Sequence, residues 1–123
     1  MKRDMDLIRR IALAVADLPP GKFLDQLPGV EPAEFSGHAV WMEEAGLVKI
    51  RSVQELAAGW PIATVLRLTW QGCEFVDAVR SDTLWKKAKD VVIKPAASFT
   101  FSLLTDWLKE EIAKGLPTLG GTP

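Results

Sequence analysis

The run Leu47-Val48-Lys49-Ile50-Arg51 alternates apolar with basic residues and predicts a β-strand with one buried face. A second run, Ile62-Ala63-Thr64-Val65-Leu66-Arg67-Leu68, is rich in β-branched and apolar residues and predicts a second strand. The link between them, 52–61, contains Gly59 and Pro61 and is too short for a helical crossover. We therefore expect an antiparallel hairpin, which decides the fold class because the longer patterned segments around it are helical.

Helical segments surround the predicted hairpin on both sides. Apolar residues recur at helical spacing at about 4–18, 32–45, 70–80, 83–93 and 98–114. Gly46 suits the C-terminal cap of the second of these helices, and Thr69 is expected to be the N-cap of the third. The segment 22–27 fits either a short strand or a single helical turn. This order is that of an α+β domain of winged-helix type with a C-terminal helix or helical pair added. We expect one domain over residues 1–116 and a flexible tail over 117–123.

The phase of the second helix predicts which of its residues are buried. Phe35, Ala39 and Met42 share one face and are expected to pack inward. The opposite face is expected to meet solvent, and it carries Ser36, Gly37, Val40 and Glu44, flanked by Trp41. Val40 and Trp41 would then be partly exposed, which favours a protein partner, a second subunit or cover by the C-terminal helix.

The later helices leave more alternatives open. In 70–80 the inward residues are either Cys73, Val76 and Val79 or, after a slight rotation, Phe75 and Val79. The inward side of 83–93 is predicted to hold Leu84, Trp85, Ala88, Val91 and Val92. The last helix is expected to be capped by Ser98 and to carry the apolar stripe Phe101, Leu104, Trp107, Leu108 and Ile112. This stripe needs cover from the N-terminal helix or from a homodimer partner, and Trp107 is therefore a candidate interface residue.

The composition excludes several classes of site. Lys plus Arg number 15 and Asp plus Glu 16, so the net charge of −1 weakens any picture of coating nucleic acid by bulk charge. One cysteine, Cys73, rules out an intramolecular disulfide and a Cys-rich zinc site, and one histidine, His38, rules out a two-His metal site. We expect no enzyme activity, cofactor or metal. His38 is expected at the edge of the core, and Cys73 is expected to be a buried, inert thiol.

The chain is expected to be cytoplasmic. Its basic start, Lys2 and Arg3, is followed at once by Asp4 and Asp6, which is not the pattern of a secretory signal. The longest apolar runs fall far below the ~20 residues that a membrane span requires.

The near-neutral charge conceals segments of opposite sign. Helix 32–45 lacks the Arg, Lys, Asn and Gln side chains that read base edges. The acidic residues on it or beside it are Glu31, Glu34, Glu43 and Glu44. Segment 80–94, in contrast, carries five cations and two anions. Contact with double-stranded DNA is therefore expected from the hairpin and the basic segment, with the candidates Lys49, Arg51, Arg67, Lys86, Lys87 and Lys89. Solvated surfaces show the same pattern, which is the alternative interpretation.

Two stretches carry a resemblance to known proteins. Met42-Glu43-Glu44-Ala45-Gly46-Leu47-Val48 and Leu66-Arg67-Leu68-Thr69-Trp70-Gln71-Gly72 resemble winged-helix repressors of the multiple-antibiotic-resistance and phenolic-acid types. The chain also resembles a bacterial and phage family known as domain-of-unknown-function family 2513. The resemblance lies in the start 1–9, in the middle of the chain, and in the runs 68–78 and 82–89. That resemblance implies a small winged-helix-like protein, often found in prophage regions, and implies no activity, substrate or catalytic residue.

The second helix departs from the pattern of that family. Its members tend to have a Tyr-His pair followed by a Lys, whereas this chain keeps His38 but has Gly37 and Val40 at the other two positions. The changes remove an aromatic group and a cation from the face that would meet DNA. Two hypotheses therefore stand: a phage-type transcriptional regulator that binds DNA, and a protein-interaction module that keeps the fold without binding DNA.

Overall fold

The protein combines helices with one two-stranded sheet. A computed structural model describes residues 1–55, 60–94 and 100–115. The elements are α1 (Met5–Ala16), α2 (Pro32–Glu44), β1 (Val48–Glu55), β2 (Trp60–Leu68), α3 (Trp70–Val79), α4 (Asp82–Ala88), a π-helical turn (Lys89–Ile93) and α5 (Phe101–Gly115). The α+β class and the antiparallel hairpin are confirmed, with strands longer than predicted. The residues 56–59 of the predicted link, the predicted Ser98 cap and the predicted tail at 117–123 lie outside the described residues.

The chain divides into two compact units, 1–76 and 77–123, with the boundary inside α3. The first unit contains α1, α2, the hairpin and most of α3. The second contains the end of α3, then α4, the π-helical turn and α5. The single domain over 1–116 stays a prediction. Within the described ranges, no helix is long and apolar enough to cross a membrane.

Helix α1 places one apolar side in the core of the first unit. Asp4 begins the helix, because its Oδ1 accepts the N–H groups of Asp6 (2.9 Å) and Leu7 (3.3 Å), which have no partner within the first turn. The buried side chains recur at helical spacing: Met5, Leu7, Ile8, Ile11, Ala12 and Val15. They pack toward α2 and β2, the elements that α1 contacts in this unit.

The hairpin has a bulge near its base and a third, strand-like neighbour. Lys49 pairs with Arg67 and Ile50 pairs with Val65, so Leu66 is the extra residue of β2. On the other edge of β2, Leu24 forms an antiparallel bridge with Val65 through N–H···O bonds of 3.0 and 2.7 Å. The strand alternative for segment 22–27 is therefore the one the structure supports.

Helix α2 is buried around most of its circumference. Five consecutive residues, Phe35–Ala39, are buried, so the prediction that Ser36 and Gly37 face solvent is wrong. The reason is tertiary: α2 packs against α1 and both strands, which leaves it no wide solvent face. Phe35, Ala39 and Met42 are buried as predicted.

Two side chains of α2 bond the hairpin directly. The Oγ of Ser36 accepts the N–H of Ala63 at 3.0 Å in a buried position. At the other end of the helix, Oε2 of Glu43 accepts the N–H of Ile50, beside the bulge, at 2.9 Å. Helix α2 is thus attached to both strands, and Glu43 has a structural role.

The junction between α2, β1 and α3 explains the two stretches that carry the winged-helix resemblance. Gly46 ends α2 with φ +80°, a conformation that glycine adopts without strain. The N–H of Thr69 donates to the Leu47 carbonyl at 2.9 Å, and its hydroxyl donates to the Gly46 carbonyl. The same hydroxyl accepts the N–H of Gly72 at 3.0 Å, which confirms Thr69 as the N-cap of α3.

The phase of α3 corrects the prediction for the cysteine. Cys73 is exposed, so the prediction of a buried thiol is wrong. The buried positions instead follow one helical stripe: Gly72, Phe75, Val76 and Val79. Gly72 sets this phase because its α-carbon lies against the backbone of Leu47, and the next residue then points about 100° away.

The two α-helices that lie wholly in the second unit each begin with a side-chain cap. Ser81 accepts the N–H of Leu84 at 3.2 Å and begins α4, and Thr100 accepts the N–H of Leu103 at 3.1 Å and begins α5. The buried side chains are Trp85, Ala88, Leu104 and Leu108.

The π-helical turn changes the inward face predicted for 83–93. Val91 is 52% exposed, so its predicted inward position is wrong, while Val92 and Leu84 are half-buried. The N–H of Lys94 donates to the Lys89 carbonyl at 2.8 Å, five residues earlier. This wider turn rotates the following side chains relative to an α-helix.

Candidate nucleic-acid interface

One face of the hairpin points away from the core. Side chains alternate between the two faces of a strand, and the core face contains the buried Val48, Ala63 and Val65. The opposite face is here called the outward face, and among the described side chains it consists of Lys49, Arg51, Val53, Ile62, Thr64 and Arg67. All three predicted wing cations lie on it and are exposed.

The cations of the outward face are close together and lack acidic partners among the described side chains. Lys49 lies directly across from Arg67, and Arg51 follows two residues later on the same side of β1. No ion pair joins any of the three to a carboxylate of another described side chain. Arg67 donates from one terminal nitrogen to the Leu68 carbonyl at 3.1 Å. The outward face is therefore positively charged and suited to bind an anion such as phosphate.

An exposed aromatic ring lies beside this face. Phe23 precedes the bridging residue Leu24, and the Cζ of Arg51 lies 6.0 Å from the Phe23 ring centroid. Phe23 is 51% exposed. The sequence reasoning missed Phe23 because it fell in the ambiguous segment 22–27. The alternation of Phe23 with Leu24 could have indicated it, because one of two successive strand residues points toward the core and the other points away from it.

Helix α2 has no cation to offer to DNA. Its exposed residues lie at the two ends and are Pro32, Ala33, Glu34, Glu43 and Glu44. The middle of the helix is enclosed by α1 and the hairpin. An acidic helix with a buried middle is a poor reader of base edges in the major groove.

Two cations of the basic segment 80–94 form ion pairs within their own unit. Lys87 forms an ion pair with Glu111 at 3.3 Å, and Lys94 forms one with Asp90 at 3.2 Å. Lys89 and Arg80 each interact with another residue as well. Of the predicted contacts here, Lys86 and Lys87 are exposed and Lys89 is half-buried. Lys87 and Lys94 are therefore less available to an external anion than the cations of the outward face, whereas the exposed Lys86 forms no ion pair with a described side chain.

His38 is part of the core, as expected. Its Nε2 accepts the N–H of Asp4 at 2.9 Å, and its Nδ1 lies 2.8 Å from the Glu34 carbonyl, to which it donates. The residue is 1% exposed and its ring meets Trp41 edge to face, with centroids 5.1 Å apart. Both ring nitrogens are engaged, so His38 joins the N-terminal segment to α2. In the described ranges, no three His, Cys, Asp or Glu residues are grouped as metal ligands would be.

The predicted protein-interface residues are half-buried. Val40 and Trp41 lie at the surface of α2 in the first unit, and Trp107 lies on α5 in the second. The most exposed large apolar side chain described, Trp70 at 77%, was not singled out by the sequence reasoning. The exposure of Trp70 could have been inferred from its position directly after the N-cap Thr69. Helix α3 packs through Gly72 and Phe75, and the first residue of such a helix points away from that contact.

Comparison with known proteins identifies relatives without a known activity. The model of a family described as "Hypothetical protein (DUF2513)" matches residues 2–98. An uncharacterised protein of Haemophilus influenzae is 35% identical over 95 residues, which cover 75% of this chain and 79% of that protein. No solved structure was found to match the chain. The match across most of the chain and the identity to this relative place the protein in one family: the chain belongs to the DUF2513 family.

Proposed function

We propose that the protein binds nucleic acid through the outward face of its hairpin, in the manner of a wing that contacts backbone phosphates. The observation that carries the proposal is the Lys49–Arg67 pair. Like charges directly across two strands destabilise a hairpin, and no described carboxylate compensates these two. An external polyanion would supply that compensation.

The winged-helix order supports the same site. That the chain is a winged-helix domain is part of this proposal, and it is supported by the Leu24 bridge at the edge of β2 and by the hairpin that follows α2. Because α2 is buried and acidic, the contacts would be to phosphates and carry no base sequence. The proposed role is that of a phage-type transcriptional regulator that acts through backbone contacts, and dimer formation through the α5 stripe remains part of this proposal.

Salt dependence and two matched triple variants test the proposal. A fluorescently labelled oligonucleotide is titrated with protein at several salt concentrations, and binding is followed by anisotropy. About three phosphate contacts predict a log–log salt slope of roughly −2 to −3. The variant Lys49→Gln/Arg51→Gln/Arg67→Gln is expected to lose nearly all affinity for the oligonucleotide and to lose the salt dependence of binding as well.

The matched control removes three cations from the other predicted site. Lys86→Gln/Lys87→Gln/Lys89→Gln has the same net charge as the hairpin variant and is expected to bind almost as tightly as the parent protein. Circular dichroism checks that both variants fold. If the Lys86/Lys87/Lys89 variant loses affinity and the Lys49/Arg51/Arg67 variant retains it, the hairpin proposal is wrong.

A protein-binding role is the second candidate, favoured by the half-exposed Val40 and Trp41 on α2. In that case the apolar pair would form the centre of an interface, with a second copy of the chain as the first partner to test. Analytical sedimentation would then show different oligomeric states for the parent protein and for Val40→Ser. A monomer at all concentrations, with or without the substitution, argues against self-association through this surface.

A further inference from the structure

An exposed aromatic ring lies beside the cations of the outward face, and this narrows the class of nucleic acid that the site fits. Phe23 is held in place by the two backbone bonds between Leu24 and Val65. Its ring is therefore kept beside Arg51 and away from the core, with half of its surface exposed. An exposed phenyl ring fixed next to Arg51, on whose face two further cations lie, is a combination that binds bases by stacking and phosphates by charge.

Duplex DNA does not use such a ring well. In a duplex both faces of each base are stacked on its neighbours, so a protein reads the edges of bases with hydrogen-bonding side chains. The exposed apolar groups are Val53 and Ile62 on the outward face and Phe23 beside it, and none of these reads a base edge by hydrogen bonds. The faces of bases are accessible only when the strand is single.

We infer that the outward face prefers single-stranded nucleic acid, with one base stacked on Phe23 and neighbouring phosphates bound by Lys49, Arg51 and Arg67. This inference rests on the proposed function and specifies its ligand. Arg51 connects the two parts of the site, because its guanidinium lies over the ring and is exposed toward the same side as the other two cations. Base stacking tolerates any sequence, so the preference is for strandedness and not for a particular base order.

The test compares a single-stranded oligonucleotide of mixed sequence with the duplex of the same sequence and length. Affinities are measured by anisotropy at low salt for the parent chain, for Phe23→Leu and for Trp70→Leu. The last is the matched control, because it removes an exposed aromatic side chain that is not on the outward face. Circular dichroism and thermal unfolding confirm that each variant folds.

The parent chain is expected to bind the single strand at least about tenfold more tightly than the duplex. Loss of one base–aromatic stack is expected to weaken single-strand binding of Phe23→Leu by about 5- to 100-fold. Duplex affinity of Phe23→Leu and both affinities of Trp70→Leu are expected to stay within about twofold of the parent.

The outcomes separate this inference from the proposed function. Equal or tighter binding of the duplex, or a Phe23→Leu variant that keeps its single-strand affinity, overturns the single-strand preference while the phosphate-binding function stands. Absence of binding to both ligands by the parent chain overturns both.

Discussion

Gly72 lies against the backbone of Leu47 so closely that a Cβ on Gly72 would be 1.9 Å from the Leu47 carbonyl oxygen. The same carbonyl accepts the N–H of Thr69 at 2.9 Å, so the first turn of α3 is held against the residue that precedes β1. This contact fixes the position of α3 relative to the base of the hairpin within the first unit. Any side chain at Gly72 must displace that backbone.

The first prediction follows from this contact. Gly72→Ala is expected to destabilise the protein by about 1–3 kcal/mol. The added methyl group would overlap the Leu47 backbone, which cannot move away without breaking the hydrogen bond between the Thr69 N–H and the Leu47 carbonyl. Urea unfolding followed by circular dichroism gives the change in the free energy of unfolding. Gly115→Ala is the control, since a Cβ there meets no atom within 4 Å. Equal stability of the two variants would contradict the prediction.

A second prediction concerns the hydroxyl of Thr69. Thr69→Val keeps the size of the side chain but loses both the bond to the Gly46 carbonyl and the cap on the Gly72 N–H. The expected loss is about 1–2 kcal/mol. Thr69→Ser retains the hydroxyl and is expected to lose much less. The two unfolding midpoints decide the matter, and a Val variant as stable as the Ser variant would show that the hydroxyl contributes nothing.

A third prediction addresses the buried hydroxyl of α2. Ser36→Ala removes the acceptor for the Ala63 N–H and leaves that buried group without its partner. The expected cost is about 1–3 kcal/mol. Ser52→Ala is the matched control, because Ser52 pairs with Ala63 across the hairpin but is exposed. Protection of the Ala63 amide from hydrogen exchange should fall in the first variant alone.

A fourth prediction separates stability from binding at the outward face. Lys49→Glu replaces a like-charge pair with an opposite-charge pair across from Arg67, so it is expected to stabilise the hairpin by about 0.2–1 kcal/mol. The same change is expected to abolish nucleic-acid binding, because it places a negative charge among the phosphate contacts. Thermal unfolding and anisotropy on one preparation measure both effects. Lys86→Glu makes the same charge change in the second unit and is expected to leave binding nearly unchanged. Retained binding by Lys49→Glu would count against the outward face as the site.

Local patterns were sufficient for the elements that repeat a simple period. Alternation located the two strands. The helical repeat located α1, α2 and α5, and Thr69 and Gly46 marked the helix ends because capping depends on a few neighbouring residues. These features depend on interactions over a few residues, which is why sequence pattern predicts them.

Long-range packing was needed for the positions where the predictions were wrong. Ser36 is polar, yet it is buried because Ala63, which lies 27 residues later in the chain, supplies its hydrogen bond. Cys73 is apolar enough for a core but is exposed because the Gly72–Leu47 contact sets the rotation of α3. Val91 faces solvent because a π-helical turn replaces an α-turn.

The amino-acid pattern established an α+β chain with a cationic hairpin and very few reactive side chains, because composition and periodicity are properties of the chain itself. The assembled fold established that α2 is enclosed and that Phe23 lies beside Arg51. It also established that Lys87 and Lys94 form ion pairs, while the cations of the hairpin face lack carboxylates among the described side chains. Burial and charge pairing depend on residues distant in sequence. The candidate interface therefore became specific only when those residues were brought together.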